Sequence, residues 1–224
     1  MPENSLAAFT QAVDAGFGIE LDVQLSADGK VMVFHDYTLN RMTGQDGKLC
    51  EHTAAQLQAL FLSGTDQTVP TFEQVLALVN GKVPLLIELK GEDLNTALCK
   101  KTADLLKNYR GAYCIESFNP LLIRAMRKQL PAAFYGQLFT NVCRDKKKFT
   151  LLNALLSCMT LNVISQPNFI AYNHKDRRSL PVQLTTRFYR AAKFAWTVTD
   201  RPQLDQAHAL GECAIFEGIS PEEL

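Results

Sequence analysis

No stretch of this 224-residue chain approaches the roughly 18–20 consecutive apolar residues that a membrane span requires, and its start has no basic-then-apolar signal segment. Net charge is missing too. The 23 Lys+Arg balance 23 Asp+Glu, which removes any global electrostatic drive toward nucleic acid or an anionic membrane. The six cysteines, Cys50, Cys99, Cys114, Cys143, Cys158 and Cys213, form no C-x-x-C pair and no zinc-ligand spacing. They read as reduced structural thiols, which suits a cytoplasmic setting. No G-x-G-x-x-G or P-loop follows a candidate strand, which weakens a nucleotide-binding open sheet. No G-x-S-x-G or catalytic-cysteine context supports a single nucleophile. No low-complexity tract or long linker divides the chain, so residues 1–224 read as one domain.

What is present is a rhythm of short β-branched runs followed by helical patterns. Strands are expected at Ile19–Leu25, Val31–His35, Pro84–Lys90, Ala112–Ser117, Ala133–Leu138, Leu161–Ser165, Phe194–Val198 and Cys213–Phe216. Helices are expected at Ser5–Ala15, Thr71–Val79, Asp93–Asn108, Pro120–Gln129, Lys148–Ser157, Gln183–Ala192 and Arg201–Leu210. Such alternation argues for a parallel sheet with crossover helices, as a (β/α)8 barrel or a doubly wound sheet. Apart from Val31–His35, the partner of Ile19–Leu25 across a turn, only seven main strands are counted, and the chain opens on a helix, so a barrel's first strand is expected to be missing. The segment 36–69 interrupts the rhythm as an insertion.

The chemistry-bearing residues sit on strands. In "GIELDVQL" the residues Ile19, Leu21, Val23 and Leu25 share one face, and Glu20, Asp22 and Gln24 share the other. In "PLLIELKG" Leu86, Glu88 and Lys90 fall in the same phase. Carboxylates turned into a confined interior repel one another and lose hydration, a cost that a divalent cation offsets. Hard oxygen ligands suit Mg²⁺ or Ca²⁺ rather than zinc. Three carboxylates with a lysine beside them suit an anionic oxygen ligand such as phosphate. His35, ending "VMVFHD", can exchange a proton near neutral pH. The bland alternative stays open: Glu20 and Asp22 on a half-polar strand, His35 in a loop. Glu116 in "YCIESF" is a candidate polar substrate contact, or a strand-end residue paired with a neighbour. "RDKKK" at 144–148 reads as a solvated loop, and "HKDRR" at 174–178 as a polar loop or a lid touching phosphate. His52 and His208 read as structural.

Pro2-Glu3-Asn4-Ser5 leading into "LAAF", "GIELDVQLSADG", "VFHDYTLNRMTG", "VPTFEQVL", "LLIELKG", "ESFNP" and "AWTVTD" together resemble the glycerophosphodiester phosphodiesterases, in family order over nearly the whole chain. The resemblance implies a (β/α)8 TIM barrel with a small insertion after the second strand, here 36–69. It implies Glu20, Asp22 and Glu88 as metal ligands, His35 as one of two acid–base histidines, Lys90 as a contact to phosphate or its metal, and Trp196 as an aromatic wall for the substrate. The implied reaction is metal-dependent hydrolysis of small-molecule glycerophosphodiesters to glycerol 3-phosphate and an alcohol. The family's His-Arg-Gly segment is expected upstream of Met1, together with any export signal or anchor. As written, the chain is expected to be poorly active, or to bind metal and phosphate esters without turnover. "AIFEGISP" departs from the family's last strand, and the role of Glu217 is left open.

Overall fold

A computed structural model describes residues 1–91, 96–140 and 162–219. The helix expected at Lys148–Ser157, the "RDKKK" run, Cys143, Cys158 and the first residues of the helix expected from Asp93 lie outside the described residues. The chain divides into two compact units: Met1–Ile115 with Ala125–Ala133, and Glu116–Arg124 with Phe134–Leu224.

In the first unit, α1 (Leu6–Asp14) starts at Ser5, whose hydroxyl accepts the Ala8 N–H at 3.2 Å and donates to the Pro2 carbonyl at 2.7 Å. β1 (Ile19–Leu25) and β2 (Val31–Val33) form an antiparallel hairpin in which Val23 faces Val33. Gly29, at φ +75°, and the Ser26 N–H bond to the Lys30 carbonyl at 2.9 Å close its turn. The insertion follows, carrying α2 (Asn40–Thr43), a 3₁₀ turn at Leu49–Glu51 and α3 (Ala54–Gln58). Its Leu39, Met42, Leu49, Leu57, Leu62 and Val69 bury themselves against Met32 and Phe34 of the hairpin. α4 (Phe72–Val79) starts from a reciprocal cap. Thr71 Oγ1 accepts the Gln74 N–H at 3.2 Å, and Gln74 Oε1 accepts the Thr71 N–H at 2.8 Å. β3 (Leu85–Leu89) pairs in parallel with β1, and α5 (Ala97–Leu106) leads to β4 (Tyr113–Ser117). The strand order is β2-β1-β3-β4.

β4 and α6 (Pro120–Gln129) both cross from one unit into the other along the chain. In the second unit come β5 (Phe134–Phe139), α7 (Asn162–Ser165), β6 (Phe169–Asn173), α8 (Leu180–Tyr189), β7 (Ala192–Val198), α9 (Arg201–Ala209) and β8 (Cys213–Phe216). β5, β6, β7 and β8 are parallel neighbours in chain order. Gly136 sits opposite Phe169, where an added Cβ would lie 2.1 Å from the Phe169 ring. Phe169 in turn stacks on Phe194 at 4.5 Å.

One expected strand is corrected. Asn162–Ser165 is a short helix, closed by the Gln166 N–H to the Asn162 carbonyl at 2.7 Å. The strand comes at Phe169–Asn173 instead, aligned where Asn168 exchanges bonds of 2.7 and 3.0 Å with the Tyr135 backbone. Among the described residues no helix is long and apolar enough to cross a membrane, and Cys50, Cys99, Cys114 and Cys213 form no disulfide there.

Candidate active site

The parallel pairing of β1 with β3 sets Asp22 beside Glu88 and Glu20 beside Leu86. Paired residues of adjacent strands project to the same side, and so do residues two apart on one strand. Glu20, Asp22 and Glu88 therefore converge, each with a carboxylate oxygen within 4.8 Å of the others. Asp22 and Glu88 are buried and Glu20 half-buried. Lys90, one residue beyond β3, directs its Nζ between them, 3.1 Å from Asp22 Oδ1 and 3.2 Å from Glu88 Oε1.

Magnitudes show why this cluster suits a cation. At an effective dielectric near 20, like charges within 4.8 Å repel by roughly 3–4 kcal/mol per pair. Lys90's two contacts at 3.1 and 3.2 Å return roughly 5 kcal/mol each. Three repulsions and two attractions thus nearly cancel, and the loss of hydration remains uncompensated. Burial accordingly pushes the Glu88 carboxyl up to about 8, with Lys90 pulling it down and the Asp22 charge pushing it up. Lys90 stays protonated well above its ordinary range: burial works against this, and Asp22 and Glu88 prevail. Asp22 Oδ1 is fully buried and accepts no well-aligned hydrogen bond. A hard divalent cation such as Mg²⁺ or Ca²⁺ fits this all-oxygen donor set.

Two residues without an expected role support the cluster. Asn4, in the left-handed region at φ +52°, donates Nδ2 to Asp22 Oδ2 at 2.8 Å and accepts the Asp22 N–H at 3.3 Å. Asn tolerates that backbone region better than most residues, and the "PEN" motif was the signal available for it. Gln24, on the acidic face of β1 and 5% exposed, donates Nε2 to the carbonyls of Phe34 and Asp36 at 2.8 Å and of His35 at 3.3 Å. The Phe34 N–H bonds the Asp22 carbonyl at 2.9 Å, so His35 leaves the hairpin level with Asp22.

The His35 imidazole is half exposed, with Nδ1 2.6 Å from Asp36 Oδ1. Asp36 also accepts two bonds from Arg41, and its carboxyl is held down to about 2, chiefly by that guanidinium. Arg41 grips Glu3 with its remaining N–H groups.

Trp196 and Glu116 belong to the second unit. Trp196 meets Phe118 edge-on at 6.1 Å, and its indole N–H finds no acceptor among the described residues. Glu116 is 1% exposed at the end of β4. "HKDRR" forms a 3₁₀ turn after β6, with Asp176 buried and Arg177 bound to Glu212 at 2.9 Å. His52 bonds the Lys48 carbonyl at 2.9 Å, consistent with a structural role.

Residues 1–217 match the model of the "Glycerophosphoryl diester phosphodiesterase family". A glycerophosphodiester phosphodiesterase of Caldanaerobacter subterraneus is 33% identical over 150 residues, covering 62% of this chain and 62% of the relative. Human glycerophosphodiester phosphodiesterase 1 is 31% identical over 139 residues, covering 57% of this chain and 42% of the relative. The chain thus matches less than two thirds of these curated relatives' length. Among solved structures, a phosphodiesterase of Oleispira antarctica, in complex with the product sn-glycerol-3-phosphate, superposes with TM-score 0.78 at 22% identity, covering 96% of this chain and 87% of that one. A glycerophosphodiester phosphodiesterase of Thermotoga maritima gives TM-score 0.72 at 24% identity, covering 96% and 88%. These likenesses show the fold class, an α/β TIM barrel: the strand–helix rhythm left a barrel and a doubly wound sheet open, and the family resemblance implied the barrel. The match across residues 1–217 places the chain in the glycerophosphoryl diester phosphodiesterase family.

Proposed function

We propose that the protein hydrolyses glycerophosphodiesters to glycerol 3-phosphate and an alcohol. The observation that carries this reading is the convergence of Glu20, Asp22 and Glu88 with Lys90 between two of them. The three carboxylates would hold a divalent cation, Mg²⁺ or Ca²⁺. When bound, such an ion polarises a phosphoryl oxygen and offsets charge in the transition state. Lys90 holds a positive charge beside that position and steadies the phosphate oxygens. Asn4 keeps the Asp22 carboxylate aimed into the site. His35 exchanges a proton with the reacting oxygen through the ring nitrogen that Asp36 leaves free. Trp196 and Glu116 as substrate contacts remain proposals resting on the sequence.

The test uses the protein as its gene encodes it. Release of glycerol 3-phosphate from glycerophosphocholine should require Mg²⁺ or Ca²⁺, stop with chelator, and fall at least a hundredfold in His35→Ala. A saturating cation at about 100 times its dissociation constant should add about 2.7 kcal/mol of stability. In a chain of this size that is about 5–10 °C in melting midpoint, and Glu88→Gln should lose the shift. Full activity in His35→Ala, or in chelator, overturns the assignment. Binding of glycerol 3-phosphate and cation without turnover would leave a phosphate-ester binder.

A further inference from the structure

His35 has its proton-transfer geometry set by a chain of groups drawn from three places in the sequence. A carboxylate has only acceptor sites, so the 2.6 Å contact between Asp36 Oδ1 and His35 Nδ1 requires the proton on Nδ1. That leaves the Nε2 lone pair free in the neutral ring. Asp36 is itself gripped by the fork of Arg41: Nε donates to Oδ2 at 2.6 Å and Nη2 to Oδ1 at 3.0 Å. The same guanidinium donates Nη1 to Glu3 Oε2 at 3.0 Å and Nη2 to Glu3 Oε1 at 2.5 Å. Glu3 comes from the segment before α1, and Arg41 from α2 of the insertion.

Stability alone gives little reason for this arrangement. The Arg41 side chain is 50% exposed, and ion pairs so exposed contribute about 0–1 kcal/mol. What the fork supplies is direction. With both oxygens engaged, the Asp36 carboxylate cannot turn away from Nδ1, while Gln24 fixes the backbone carbonyls of His35 and Asp36 from the interior.

We propose that Arg41 and Glu3 are positioning residues that act through Asp36 to hold His35 as the Nδ1–H tautomer, presenting Nε2 as the proton acceptor. The inference rests on the reading of His35 as an acid–base group. It also gives the insertion a purpose, since α2 carries Arg41 to the site.

Two measurements separate this inference from that reading. The first needs no turnover. In histidine-¹⁵N-labelled protein at about pH 8, where an ordinary imidazole is neutral, two-bond ¹H–¹⁵N correlations report the tautomer of each ring. His35, identified by its absence in His35→Ala, should show Nδ1–H in the wild type. In Arg41→Met it should move toward the Nε2–H form, with the His52, His174 and His208 signals unmoved as evidence of an intact fold. The second is kinetic: Arg41→Met should lower kcat about tenfold to a hundredfold with little change in KM. Glu3→Gln should lower it less, and Arg41→Lys should recover part of the loss. A wild-type Nε2–H ring, or an Arg41→Met protein keeping both the Nδ1–H ring and full kcat, overturns the proposal. Full activity in His35→Ala would instead refute the acid–base reading, with the tautomer result still judging the geometry.

Discussion

Asp36 shows how little of a site's chemistry lies in the residues that catch the eye. It follows His35 directly, and its carboxyl is held at about 2 because Arg41 donates two hydrogen bonds to it, with His35 adding a third. The sign of its linkage to folding follows. A carboxyl depressed in the folded state contributes stability that is fully present above its ordinary value of 3.8 and lost as pH falls through about 2. Arg41→Met releases the carboxyl, so the variant should lack this contribution at pH 5 and draw closer to the wild type as pH falls toward 2. The pair is partly exposed, so the difference should stay at about 1 kcal/mol or less. Urea titrations of both proteins from pH 5 to pH 2 measure it; a constant offset across that range would contradict the depressed value. None of this could be read from "VFHD" alone. His35 and Asp36 are adjacent, but the partner that fixes their geometry stands five residues further on, across a turn.

At the scale of elements, the sequence was most readable where two faces of one strand differ. Glu20, Asp22 and Gln24 against Leu21 and Val23 gave β1 its phase, and the same phase in Glu88 and Lys90 pointed to a shared site; the pairing of Asp22 with Glu88 bears out that alignment. The reading failed at "LNVIS" and missed "FIAYN". Both are short apolar runs, and periodicity cannot separate a helical turn from a buried strand over five residues. Contacts distant in sequence decided it: Asn162 Nδ2 reaches Thr185 Oγ1 at 3.3 Å, and Asn168 docks on the Tyr135 backbone. Asn4 and Gln24 were equally hidden, because each acts by hydrogen bonds to groups 10 to 18 residues away. The insertion, recognised only as a break in rhythm, has an apolar core of its own. Leu57 is fully buried there with Leu39, Met42, Leu49 and Leu62. Leu57→Ala should therefore cost about 2–5 kcal/mol. Because this core also packs on Phe34, the residue before His35, the variant should loosen His35 as well. Amide hydrogen exchange should show faster exchange from Leu39 to Val69 and at His35; unchanged exchange at His35 would mean the insertion core does not brace it.

Among the described residues, each unit holds a buried charge centre that ties several of its elements together. In the first it is the acidic cluster, whose balance a divalent cation would complete. In the second it is Glu212, 5% exposed and placed just before β8. It accepts the Tyr172 hydroxyl of β6 at 2.5 Å and Arg177 Nε at 2.9 Å, with Lys193 of β7 at 3.7 Å. One carboxylate thus joins β6, the turn after it, β7 and the start of β8, and it is already balanced by cations of the chain itself. The two centres should respond differently. Glu212→Gln leaves the Arg177 guanidinium, with its side chain 15% exposed, facing an uncharged amide, and breaking such a buried pair costs about 3–5 kcal/mol. A loss of that size should lower the melting midpoint by about 10 °C. It should raise hydrogen exchange in β6, β7 and β8 while cation-dependent protection of β1 and β3 persists. The double variant Glu212→Leu/Arg177→Met removes both charges and should recover most of the lost stability, since burying neither ion avoids the desolvation that the pair must offset. If Glu212→Gln instead melts like the wild type, the buried ion cluster contributes no net stability and the second unit owes its order to the apolar contacts of Phe139, Ile170, Val182 and Ala195.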